Sequence, residues 1–154
     1  MTKRSRVVAR VLASLGLVLL SSGRVDAAHC TISTTSVNFG SYDVFNSTPT
    51  DTTGTVSVTC SGNADVTITL SKGGSATFSP RTLNSGTDTL NYNLYRDAAR
   101  TTIWGDGTGS TASYTQVGLP NNTAQNLTIY ARIPAAQDVR AGTYTDSVTV
   151  TIDF

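Results

Sequence analysis

Residues 144–154, the last eleven of the chain, have its most regular hydropathy pattern. Valine, isoleucine and phenylalanine alternate there with threonine and aspartate, so that one side of the segment is apolar: Val148, Val150, Ile152 and Phe154. A period of two is typical of a β-strand with one buried face. Because no further strand of this sequence follows, we expect the free edge to be covered by an earlier strand or to pair with another polypeptide.

Composition extends the β interpretation to the rest of the chain. After residue 27 the sequence has no glutamate and a single lysine, Lys72, while threonine, serine, glycine and asparagine dominate. Good helix formers are therefore scarce, and β-branched and turn-forming residues are common. The sequence predicts an all-β domain over residues 28–154.

Short alternating runs separated by turn-forming clusters predict seven or eight strands. They cover residues 30–39 (with a break at 34–36), 56–60, 66–70, 76–78 (weak), 90–94, 114–119, 127–133 and the final segment. Residues 46–54, which include Pro49, are expected to form a loop, and residues 97–113 a long connection. Strands at this spacing favour a β-sandwich with immunoglobulin-like topology.

The first 27 residues have the organisation of a secretory signal peptide. Four basic residues precede a short apolar core at residues 11–20, and Val25-Asp26-Ala27 offers small side chains before a cleavage site. The apolar core is shorter than the roughly 20 residues that span a membrane. We therefore expect cleavage after Ala27, a secreted domain of residues 28–154, and no membrane span after cleavage.

The charge of the secreted part argues against nucleic acid as a partner. Residues 28–154 contain six basic and nine acidic residues, a net charge of −3. No basic stripe remains that could neutralise a phosphate backbone. We expect no nucleic-acid binding.

Two cysteines, Cys30 and Cys60, are the only ones in the sequence. A signal peptide directs them to an oxidising compartment, where a disulfide is expected to join the first strand to the second. Two cysteines and one histidine are too few for a zinc site, which usually has four ligands. No metal or other cofactor is expected.

Residue types suited to catalysis are also scarce. The single histidine, His29, lies beside the predicted new N-terminus, a mobile place for a general base. No Gly-x-Ser-x-Gly nucleophile motif occurs. The glycine-rich run at residues 105–109 lacks the endings of phosphate-binding and EF-hand loops, so a tight turn is expected. Trp104 before it is expected to plug the core or anchor a surface. The sequence does not indicate an enzyme.

Several of these segments resemble spore coat protein U domains. The most specific stretch is residues 93–107, which reads Asn-Leu-Tyr-Arg-Asp-Ala-Ala-Arg-Thr-Thr-Ile-Trp-Gly-Asp-Gly; residues 30–40, 58–61 and 141–154 are also similar to that family. Six residues of this stretch match the signature of the family: Tyr95, Arg96, Asp97, Arg100, Trp104 and Gly105. The resemblance covers essentially all of residues 28–154.

The resemblance implies a secreted structural protein. The family includes a spore-coat protein and subunits of archaic chaperone–usher pili, whose immunoglobulin-like fold lacks its last strand. A periplasmic chaperone lends a strand, and at the outer-membrane usher an N-terminal extension of another pilus subunit replaces it. By this resemblance, the chain passes through the periplasm to the cell surface. A strand-acceptor groove is expected between two sets of apolar residues: Val148, Val150, Ile152 and Phe154 on one side, and Ile32, Val37 and Phe39 on the other.

One departure from the family, and two other functions, remain open at this stage. Polymerising subunits carry a donor segment before the first cysteine, but predicted cleavage leaves only Ala28 and His29 before Cys30. This favours a chain-terminating (tip) subunit or a stand-alone surface protein. The alternatives are a self-contained coat or matrix protein, whose last strand is covered by its own first strand, and a carbohydrate-binding sandwich in which Trp104, Tyr95 or Tyr114 stacks on sugars.

Overall fold

A computed structural model describes residues 28–154 and shows an all-β domain. The signal peptide predicted for residues 1–27 lies outside the described residues. Eight strands follow one another along the chain: β1 (His29–Thr35), β2 (Thr50–Ser61), β3 (Ala64–Leu70), β4 (Arg81–Ser85), β5 (Asp88–Tyr95), β6 (Tyr114–Leu119), β7 (Gln125–Ile133) and β8 (Val150–Asp153). Within this part of the chain no helix is long and apolar enough to cross a membrane.

The strands form two antiparallel sheets that pack face to face. One sheet has the order β1-β2-β7-β5-β4 and the other the order β6-β3-β8. Inward-facing apolar residues of both sheets alternate with exposed polar ones and form one core: Val56 and Val58 of β2, Val66, Ile68 and Leu70 of β3, Leu90 and Leu94 of β5, and Leu127, Ile129 and Ile133 of β7. The predicted β-sandwich is confirmed.

The predicted disulfide is also confirmed. Cys30 of β1 lies directly opposite Cys60 of β2, with their Cα atoms 4.0 Å apart and the sulfurs bonded. The bond attaches the edge strand β1 to the longest strand of the domain. Cys60 is completely buried, so the disulfide is part of the core.

Four segment predictions differ from the structure. The first strand runs unbroken to Thr35 and does not include residues 37–39, and the strand predicted for residues 144–154 is limited to β8. The other two predictions failed at polar residues. Residues 50–54, expected in a loop, begin β2, where Thr50 pairs with Ile133 of β7. Residues 76–78 form bends, whereas the missed strand β4 begins at Arg81. Arg81 is fully buried although its charge suggests a solvent-exposed position.

The regular segment at residues 144–154 is divided in the structure. Only Val150–Asp153 forms a strand, β8, which pairs with β3. Upstream, Thr145 makes an isolated bridge with Asn84 of β4, so the segment passes from one sheet to the other. The alternation of partly buried and exposed side chains nevertheless continues from Tyr144 to Ile152.

Candidate functional site

A groove of about 1050 Å³ with an apolar floor opens between the two sheets. We call residues 34–44, which start with the last two residues of β1, the first wall, and residues 139–150, which end with the first residue of β8, the second wall. The floor consists of inward-facing residues of four strands: Leu70, Leu83, Leu90, Tyr92, Leu94, Ile129 and Ile133. The groove therefore leads directly onto the hydrophobic core.

The second wall contributes half-buried apolar side chains and an unpaired strand edge. Val148 and Val150 pack against the core but remain partly exposed, while Thr149 and Thr151 face solvent. β8 is the last strand of its sheet, and β3 is its only partner among the described strands. A β-strand edge without a partner presents backbone N–H and C=O groups that can pair with another chain.

The first wall is the irregular continuation of β1. After pairing stops at Thr35, Val37 and Phe39 are partly buried on either side of exposed Asn38, so alternation resumes one residue out of phase with that of β1. Val37 lies against β2 at Gly54, where a Cβ atom would approach its Cγ2 to 2.9 Å, which explains a glycine in the strand. The ring of Phe39 meets that of Tyr92 edge to face, 6.1 Å between centroids.

The seven residues predicted to line an acceptor groove are distributed unevenly. Val37, Phe39, Val148 and Val150 line the groove from opposite walls. Ile32 and Ile152 lie outside its lining, partly buried against the core. Phe154 follows the end of β8 with 57% of its surface exposed.

A partly buried hydrogen bond that the sequence did not indicate fixes the second wall. The Tyr92 hydroxyl donates to Asp146 Oδ2 at 2.6 Å, and the backbone N–H groups of Gly74 and Ser147 donate to Oδ1, both at 2.8 Å. Burial, and then the hydrogen bond to Asp146, raises the pKa of Tyr92 well above its usual range, so the phenol stays protonated as the donor.

Arg81 supports the groove from beneath. Its guanidinium donates to the carbonyl oxygens of Ser71 (3.0 and 3.2 Å) and Trp104 (2.7 Å) and to Asn93 Oδ1 (2.7 Å). Burial lowers the pKa of Arg81, but an arginine side chain stays charged in proteins. Carbonyl dipoles therefore compensate the buried charge. Through these bonds Arg81 joins β5 to the segment after β3 and to the segment before β6.

The signature residues build a turn, not a reactive site. Asp97 accepts hydrogen bonds from the backbone N–H groups of Thr101 (2.9 Å) and Thr102 (2.7 Å) and from the Thr101 hydroxyl. These bonds, led by that from the Thr101 backbone, lower the pKa of Asp97 to about 2. Arg100 occupies the left-handed region of this turn, with φ 58°. The turn returns the chain beside β5, where Tyr95 bridges Ile103.

Trp104 and Gly105 end this turn inside the core. Trp104 is 1% exposed, and its indole N–H donates to the Ile68 carbonyl at 3.2 Å. It is the predicted core plug and offers no face on which a sugar could stack. A Cβ on Gly105 would lie 2.6 Å from Thr111, so the chain turns closely there. Gly107 and Gly109 supply the positive φ angles expected of a tight turn.

The other aromatic residues of the carbohydrate alternative are partly covered. Tyr95 ends β5 half-buried, and the Arg96 guanidinium lies over the Tyr114 ring, 5.5 Å from its centroid. His29 is exposed at the start of β1. Within residues 28–154 no group of three or more His, Cys, Asp or Glu side chains could hold a metal ion.

Comparisons with known proteins agree with this architecture. Protein U of Myxococcus xanthus is 37% identical over 131 residues, which cover 77% of this chain and 71% of that protein. A crystal structure of the CsuC-CsuE chaperone-tip adhesion subunit pre-assembly complex, from archaic chaperone-usher Csu pili of Acinetobacter baumannii, contains a chain that is 26% identical, with a TM-score of 0.60. That match covers 82% of this chain but only 40% of the other, so this chain spans less than half its length.

The family comparison covers most of the sequence, including part of the segment before the described residues. The model of the Spore Coat Protein U domain matches residues 17–151. The stretch from β1 to β8 that builds the sandwich, the disulfide and the groove falls within this match except for the last two residues of β8. The chain belongs to the Spore Coat Protein U domain family.

Proposed function

We propose that this protein is a surface structural subunit of chaperone–usher pilus type whose groove accepts a β-strand from another polypeptide. The observation that carries the proposal is the groove itself, in which apolar side chains of both walls lie over the core and no strand of residues 28–154 runs between them. Val37, Phe39, Val148 and Val150 are partly buried and would lose their remaining exposed surface under a donated strand. Each would therefore contribute only a part of the about 1.5–3 kcal/mol that full burial of an exposed apolar side chain gives.

A donated strand would bind through its backbone and be selected through its side chains. Its N–H and C=O groups would pair with the free edge of β8, and every second side chain would point to the floor of the groove. A segment with alternating apolar residues fits this arrangement. A slip by one residue would place polar side chains on the core and is therefore disfavoured.

The partners follow from the same interpretation. In the periplasm the donor would be a chaperone, and after transfer at an outer-membrane usher it would be a neighbouring pilus subunit. The family membership and the similarity to a chain of a chaperone–subunit complex support this route. The final location would be the cell surface. We propose no catalytic activity and no cofactor.

A chain-terminating position is the finer part of the proposal. It rests on the predicted cleavage after Ala27, because β1 begins at His29 and would leave no segment to donate. Mass spectrometry of the mature N-terminus tests this position. A mature chain that starts at Ala28 supports it, whereas a start about a dozen residues upstream would restore a donor segment and contradict it.

The groove can be tested in one polypeptide by fusing a strand after Phe154. An Asn-Gly turn followed by about ten alternating residues, with equal numbers of valine and threonine, would fold back antiparallel to β8. The test tail carries valine opposite Val148, Val150 and Ile152. The control tail has the same composition shifted by one residue, so that threonine faces the groove.

We expect the test tail to raise the thermal unfolding midpoint of residues 28–154 by about 10 °C or more over the control tail. The reason is that it buries the apolar walls, whereas the shifted tail cannot. Equal midpoints for the two tails would mean that the groove accepts no strand. The self-contained coat protein, the alternative with a fully covered last strand, would then be favoured.

A further inference from the structure

At one end of the groove, a hydroxyl group of the first wall is bonded to the segment that leads into the second wall. The Tyr42 hydroxyl, from the first wall, donates to the Pro134 carbonyl at 3.0 Å and accepts from the Gln137 N–H at 2.9 Å. Residues 134–138 lead into the second wall. Tyr42 therefore connects the first wall to the segment on which the second wall begins.

Gln137 fixes that segment to the sheet. In the register of β5 with β7, Asn91 falls opposite Pro134, which has no N–H to donate. The Gln137 side-chain amide fills this place, because its Oε1 accepts from the Asn91 N–H at 2.8 Å and its Nε2 donates to the Asn91 carbonyl at 2.9 Å. The same Nε2 donates to the Pro134 carbonyl at 3.1 Å. The anchor of Tyr42 is thus part of the sheet.

The opposite end of the groove has no such connection. There the walls are the end of β1 and the start of β8, which belong to different sheets. Among residues 28–154, no hydrogen bond joins the first wall to the second wall at this end. The groove is closed at the Tyr42 end and open at the end where β1 and β8 lie.

We propose that Tyr42 is a positioning residue that fixes the closed end of the groove and determines how firmly the far end of a donated strand is held. This inference rests on the proposed strand-accepting function. The strand would enter along β8 from the open end, and its leading residues would lie beside Tyr42. We call the two hydrogen bonds of the Tyr42 hydroxyl the clamp. Without the clamp, the walls would separate at the closed end, and the last part of the donated strand would fray.

The chain contains a matched control for the Tyr42 hydroxyl. Tyr114 lies outside the groove lining, and its hydroxyl donates to Gln116 Oε1 of the same strand, β6, at 3.3 Å. This bond therefore involves neither wall of the groove. Tyr42→Phe and Tyr114→Phe each remove one oxygen atom and keep the ring, so both variants are expected to fold.

The test combines each variant with the strand fused after Phe154, since this tail runs from the open end towards Tyr42. We expect the midpoint gain of the in-phase tail over the shifted tail to fall by about 4 °C or more in Tyr42→Phe and to stay unchanged in Tyr114→Phe. Hydrogen exchange should quicken about tenfold or more in the last residues of the tail in Tyr42→Phe, but not in its first residues.

The outcomes separate this inference from the proposed function. If the in-phase tail stabilises all three chains equally, the groove accepts a strand but Tyr42 does not hold it, and the clamp is refuted. Uniformly faster exchange along the whole tail would also refute it, because the effect would not be confined to the closed end. If the in-phase tail stabilises none of the chains, the proposed function itself fails.

Discussion

Arg81 is the residue whose structural role departs most from its chemical type. Its guanidinium is fully buried, and the carbonyl groups of Ser71 and Trp104 depend on it as their donor. A buried charge is tolerated when all its hydrogen bonds are satisfied, and removing it leaves buried acceptors without partners. The side chain thereby joins three segments beneath the groove.

Replacement of Arg81 by methionine should therefore destabilise the domain. We expect a loss of roughly 3–5 kcal/mol in the free energy of unfolding, measured by urea denaturation, because the carbonyl acceptors lose a charged donor. Arg140→Met is the matched control, since the Arg140 side chain is 82% exposed and should contribute little. Equal losses in the free energy of unfolding for the two substitutions would show that the buried hydrogen bonds of Arg81 do not stabilise the domain.

Asp97 makes part of the stability depend on pH. Its folded-state pKa is lowered to about 2 from an ordinary value of 3.8, so the carboxylate stabilises the turn above pH 4. That contribution is lost as the pH falls through 2. We expect Asp97→Asn to lower the thermal midpoint at pH 7 and the difference from the unsubstituted chain to disappear near pH 2. A difference that grew towards low pH would contradict the hydrogen-bonding pattern.

At the scale of elements, β1 depends on its disulfide. β1 is an edge strand with largely exposed side chains, and only β2 pairs with it. Replacing Cys30 and Cys60 together by alanine should cost about 3–4 kcal/mol in the free energy of unfolding, as the chain-entropy model gives for a loop of this size. Hydrogen exchange should quicken most in β1. Unchanged protection of β1 would show that its pairing with β2 suffices.

The two faces of β8 should respond differently to the same substitution. Val150 lines the groove, whereas its neighbour Thr151 faces solvent. With the in-phase tail fused after Phe154, Val150→Asp should abolish most of the gain in thermal midpoint, because a carboxylate would be buried without a partner. Thr151→Asp should preserve the gain. Equal losses would indicate that the tail does not pack in the groove.

Much of the sandwich could be predicted from alternation, and the failures have identifiable physical causes. Strands β3, β5 and β7 carry largely regular apolar faces, and these three and β6 were located correctly within a few residues. β4 was missed because Arg81 faces inward, and the beginning of β2 because threonines there resemble a polar loop. Inward-facing polar residues are stabilised by distant carbonyl groups, which a local pattern does not show.

Alternation of apolar residues also made part of the groove predictable. Val37, Phe39, Val148 and Val150 belong to alternating runs, and the structure places them on opposite walls. Tyr42, Gln137 and Asp146 hold those walls through contacts between residues far apart in the sequence. Nothing in their local sequence indicates such contacts, so only the folded chain reveals them.

At the scale of the whole molecule, an incomplete sandwich should depend on its partner for solubility. Expression of the full signal-bearing chain in a bacterial periplasm, with and without an archaic-type periplasmic chaperone from the same organism, followed by gel filtration, tests this most directly. We predict soluble protein only as a one-to-one complex with the chaperone, and loss of that complex in Val150→Asp but not in Thr151→Asp. A stable monomer recovered equally well without the chaperone would contradict strand acceptance and indicate a self-contained coat protein.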